Sequence, residues 1–67
     1  MNLKKQIKLR KKWLEIEHRR LAQSHRTLGT ALLICDHRVI AEMNDTIKDS
    51  EERISRYIAD LERLQQL

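Results

Sequence analysis

Residues 33–64, LICDHRVIAEMNDTIKDSEERISRYIADLERL, return to an apolar side chain at every seventh position: Leu33, Ile40, Ile47, Ile54 and Leu61. Three residues on, Met43, Tyr57 and Leu64 fill the companion positions, while Asp36 and Ser50 interrupt them. Such a repeat is the seam of a coiled coil or the inner stripe of a bundle helix. A strand would alternate every second residue, and nothing here does. These eight apolar residues are accordingly read as a helical seam and assigned to the core of an oligomer.

Followed outward at the helical period, the same face gathers Leu3, Ile7, Leu14, Leu21, Leu28, Leu32, Cys35 and Val39. Together with Met43, Ile47, Ile54, Tyr57, Leu61 and Leu64 they fall in an arc of roughly 120°, the width of a core-facing stripe. Phase held over this length means mostly unbroken helix. The weakest stretch is Ser24–Thr30, which contains the only glycine of the chain. Gly29 suits the left-handed residue beyond a helix end, and Thr30 suits the cap of the next helix. The expectation is an all-α helical hairpin, one domain over residues 1–67. Helix 1 is placed near 2–27, a turn near 24–30, and helix 2 near 30–65. A third helix broken off at Asn44–Thr46 is the main rival, and a single uninterrupted helix is a further alternative. The unequal arms would leave apolar length for a second chain to cover.

Size points the same way. The chain has 67 residues, no proline and a single cysteine, so no intrachain disulfide can form. A domain this small buries only about 60% of the surface its unfolded chain exposes, and its own core is marginal. Self-association, most simply as a dimer with coiled-coil-like packing, is expected to supply the difference. No apolar run approaches the ~20 residues of a membrane span. The basic start is followed by further lysines instead of a signal-peptide apolar stretch. A cytoplasmic location is expected, and a membrane partner is not.

Charge divides the chain sharply. Residues 1–26 contain nine bases against Glu15 and Glu17, a net +7, whereas residues 27–67 contain five bases against eight acids, a net −3. One consequence would be an acidic helix 2 lying against a basic helix 1, fixing antiparallel alignment. About half of the basic excess would remain. Lys5, Lys8, Lys12, Arg19 and Arg26 share an arc of roughly 100° off the apolar stripe, a ridge about 32 Å long. This ridge suits an acidic partner or a nucleic-acid backbone. Base-reading chemistry is thin, with no zinc-finger spacing or RNA-binding aromatic pair.

Leu9, Trp13 and Ile16 stand at i, i+4 and i+7, opposite the main stripe and among lysines. A helix packed between two neighbours would bury such a second patch. As a surface it would be an anchor for a partner protein, since tryptophan is enriched in binding hot spots.

Catalytic chemistry finds little support. Cys35 lies on the stripe and is expected to behave as a small buried hydrophobe. His18 and His25 are seven apart, lacking the i, i+4 spacing of a helical zinc pair, and they are assigned to interfacial hydrogen bonding. His37 adjoins Cys35 and Asp36, but neighbours on a helix diverge by about 100° and cannot chelate together. No phosphate-binding glycine loop exists. Neither an enzyme, a metal, a cofactor nor a small-molecule substrate is expected. The reading is a small interaction protein, a regulator or inhibitor of another macromolecule, most simply a protein, with nucleic acid as the alternative.

Overall fold

The computed structural model describes residues 2–67. Two helices account for nearly all of them: α1, Leu3–Leu33, and α2, His37–Gln65. They fold back on each other as an all-α hairpin measuring 49 × 14 × 14 Å, with no strand among the described residues. The radius of gyration is 15.3 Å, well above the roughly 11 Å of a compact chain this long. Length is spent on one long interface instead of a round core.

α1 begins where the Asn2 side chain accepts a hydrogen bond from the Lys5 N–H at 2.9 Å. It then runs past the expected turn. Gly29 sits inside the helix, on its solvent side, with nothing within 4 Å of where a Cβ would lie. The apolar phase continues through Leu28 and Ala31, and an interior glycine costs only about 1 kcal/mol, so packing overrides the glycine signal.

The real turn is Ile34–Asp36, and residues 24–30 are helical throughout. Cys35 takes the left-handed conformation, φ 55°, at the position glycine usually fills. Its N–H donates to the Leu32 carbonyl at 3.4 Å, and the Asp36 N–H donates to the Ala31 carbonyl at 3.0 Å, closing the end of α1. Asp36 next caps α2, its carboxylate accepting from the Val39 N–H at 3.3 Å. One short segment thus ends one helix and starts the next. α2 also passes straight through Asn44–Thr46, where the Thr46 hydroxyl donates to the Glu42 carbonyl.

Moving the turn equalises the arms at 31 and 29 residues. Each helix covers the other's stripe, and the uncovered length that suggested a second chain disappears. Ala31, Ile47, Ile54 and Leu61 are buried, and Ile40, Met43, Tyr57 and Leu64 are half-buried along the same interface. Seven of the eight residues assigned to an oligomer core therefore pack within the hairpin; Leu33 lies in solvent. Cys35 is exposed, contrary to its place on the stripe, because the left-handed turn carries it off the helical phase.

Candidate functional site

Midway along the hairpin, both seams carry polar residues. In α1, Glu17 and Ser24 alternate with Leu14, Leu21 and Leu28, and in α2 Ser50 lies between Ile47 and Ile54. Glu17 is 3% exposed and Ser50 is 1% exposed. Across the interface, Arg53 Nε donates to Glu17 Oε1 at 3.0 Å, and Nη2 forms an ion pair with the same oxygen at 2.9 Å. The Ser50 hydroxyl supplies a further hydrogen bond, and Arg20 Nη1 lies 3.9 Å from Glu17 Oε2. Burial pushes the Glu17 carboxyl up. The hydrogen bonds from Arg53 and Ser50 and the charges of Arg53 and Arg20 outweigh it and hold the group below its ordinary value. The same contact raises Arg53.

This cluster reverses the polarity expected from the charge split. Among the described residues, the ion pair joining the helices has its acid on basic α1 and its base on acidic α2. Glu17 and Arg53 were not singled out in the sequence, and Ser50 was read only as a break in the seam. The signal was present as polar residues at core positions of both repeats.

The cluster borders a surface groove. Trp13 and Tyr57 approach with ring centroids 6.1 Å apart at 44°. Stepping four residues from Trp13 to Glu17 matches four steps back from Tyr57 to Arg53, so both contacts share one antiparallel register. Arg10 lies over the Trp13 ring at 5.7 Å, a cation–π contact. Trp13, Ile16, Glu17, Arg20 and Tyr57 line a shallow groove of about 310 Å³. Trp13 remains 40% exposed and Ile16 37%, while Leu9 is half-buried. Two of the three residues assigned to partner binding, Trp13 and Ile16, thus line one interhelical groove, to which α2 adds Tyr57; Leu9 lies one turn before Trp13 on the same helix.

The basic ridge lies away from α2. Lys5, Lys8, Lys12, Arg19 and Arg26 are all exposed. Arg19 pairs with Glu15 at 2.6 Å, and Arg26 donates to Gln23, both within α1. No ion pair from the acids of α2 reaches this ridge among the described residues. Lys5 also opposes the helix dipole. The first turn of α1 has no acid and contains Lys4 and Lys5 at its positive end, where cations are disfavoured by a few tenths of a kcal/mol or more. Stability of α1 does not account for their placement.

Other features organise less. A concavity of about 540 Å³ is bounded by Lys48, Glu51, Glu52, Ser55 and Arg56, all on one helix. It is the space between splayed surface side chains of α2. His18, His25 and His37 are exposed. No helix among the described residues is long and apolar enough to cross a membrane. Comparison with known proteins gives no match to a family model, a curated protein or a solved structure.

Proposed function

We propose that this hairpin is a non-enzymatic interaction module that docks on another macromolecule, most simply a protein, and modulates it as a regulator or inhibitor. The observation that carries the reading is the half-exposed Trp13 in a groove walled by both helices. The register is already fixed by Glu17 and Arg53, yet an aromatic hot-spot residue and Ile16 stay open to solvent beside it. A cytoplasmic setting and self-association belong to the same proposal. The thin core supports self-association, and light scattering at micromolar concentration tests it, a dimer being expected.

The test of function is affinity capture from native lysate with mass spectrometry, wild type against Trp13→Ala. Bands lost with Trp13→Ala, in a variant that keeps its helical content, support the reading. An unchanged set of bands removes it.

The basic ridge favours a second reading, nucleic-acid binding, because its five cations project away from α2. A gel shift decides between the two. Affinity for duplex DNA that collapses between about 50 and 200 mM salt, with little sequence preference, supports the ridge. Absence of binding at low salt removes it.

A further inference from the structure

We infer that the occupant of the Trp13 groove is an acidic amphipathic helix of a partner protein, docking as a third helix against α1 and α2. This deepens the protein-docking reading and rests on it. The apolar lining comes from both helices, Trp13 and Ile16 from α1 and Tyr57 from α2, with Glu17 at its base; Leu9 continues the same α1 face one turn before Trp13. From Leu9 to Ile16 this face of α1 extends about 10 Å, two turns of helix. A helix presenting apolar residues at i, i+3, i+4 and i+7 fits such a groove along its length.

The rim determines the charge of that helix. Arg20 lines the groove and Arg10 lies over the Trp13 ring at its edge, with Lys12 on the adjoining ridge. Arg10 is held over Trp13, while Arg20 is only loosely engaged, 3.9 Å from Glu17. The carboxylate at the base, Glu17, is already engaged by a hydrogen bond and an ion pair from Arg53. The groove therefore presents unspent positive charge around an apolar floor. A second copy docking symmetrically here would bring the arginines of one copy toward those of the other, a like-charge arrangement that opposes pairing. A nucleic-acid backbone would satisfy the arginines and leave the apolar floor unused. Glutamates flanking an apolar stripe satisfy both.

The probe is a fluorescein-labelled helical peptide with leucines at the i, i+3, i+4 and i+7 positions and glutamates flanking them, followed by fluorescence anisotropy against the full chain. Its comparators are the same peptide with lysines for glutamates, a scrambled peptide of identical composition, and a labelled DNA duplex. The acidic amphipathic peptide is expected to bind at least about tenfold tighter than either peptide comparator, a difference within reach of charge and shape complementarity. Trp13→Ala should weaken it about 30-fold, the loss of one hot spot. Arg20→Gln, which removes the charge without setting a second carboxylate beside Glu17, should weaken it and flatten its salt dependence. Circular dichroism on each variant verifies the fold. Equal binding of the lysine or scrambled peptide overturns the inference, as does acidic-peptide binding that survives Trp13→Ala in a folded variant. If Trp13→Ala loses native capture while the peptides show no preference, the docking face stands and the acidic helix falls. If native capture survives Trp13→Ala, both fall.

Discussion

At the hairpin tip Leu32, Leu33 and Ile34 are 57, 86 and 67% exposed, far more than Trp13 or Ile16 in the groove. The tip nevertheless has less of what a docking surface requires. Its three side chains stand on consecutive residues at a helix end and fan apart, with no second helix beside them to form a wall. The groove has an aromatic pair, an arginine stacked on the tryptophan, a buried charge cluster beneath and a cationic rim. Exposure records what folding leaves over. Fixed geometry, a second wall and uncompensated charge distinguish a surface prepared for a partner.

The comparison breaks most completely if the seam is lost. Ile54→Asp places an unpaired carboxylate among apolar neighbours, a desolvation cost of several kcal/mol that a core this thin cannot absorb. The expected outcome is loss of helical circular dichroism at room temperature and disappearance of the groove. A near-native melt would mean that Ile54 does not face α1.

Next in size is the charge cluster. Arg53→Leu strands the Glu17 carboxylate inside the interface, and its melting temperature should fall sharply. Adding Glu17→Leu should restore most of the loss, because removing both partners of a buried pair is often neutral or stabilising. A double variant no more stable than Arg53→Leu would show that the cluster is not coupled in this way. The recovered double variant should also hold Trp13 less firmly, since the polar layer that fixes register is gone.

Protonation gives a gentler version of the same test. The Glu17 carboxyl is depressed in the folded chain, so the unfolded chain binds its proton at the higher pH. The stabilisation it contributes is fully present above the ordinary glutamate value and fades as pH falls through the lowered one. Thermal melts across acidic pH should show this decline in the wild type and a smaller one in Glu17→Gln. Equal declines would contradict the charged pair.

The smallest changes lie toward the tip. Cys35→Gly relieves a left-handed non-glycine residue, and Gly29→Ala removes a helix-interior glycine into open space. Each should add about 1 kcal/mol, a rise of roughly 4–8 °C in melting temperature. A fall with Gly29→Ala would show that the glycine is needed at the position the sequence first suggested.

Much of the fold was legible in the sequence. The heptad through Ile40, Ile47, Ile54 and Leu61 required helix, and the returning phase in Leu14, Leu21 and Leu28 required a partner helix. The turn was misplaced because glycine is the strongest local marker of a helix end. Here the ending is made by backbone hydrogen bonds around Cys35 and by the Asp36 cap, a signal spread over several residues of ordinary type. Net charge misled for a related reason. The sums over each half have no bearing on which side chains meet, and Glu17 and Arg53 meet against the sign of both sums. Trp13, Leu9 and Ile16 were visible as a second patch, but Tyr57, credited to the seam, also walls the groove that Trp13 and Ile16 line.

The central claim is that partners dock at the Trp13 groove and not at the more exposed tip. Parallel capture from native lysate by three forms of the chain tests it most directly: wild type, Trp13→Ala, and a tip variant carrying Leu32→Ser, Leu33→Ser and Ile34→Ser. All three should retain helical circular dichroism, since each tip side chain is largely in water. The expected result is that the tip variant captures what the wild type captures while Trp13→Ala loses it. Loss of capture by the tip variant with full capture by Trp13→Ala would contradict the account.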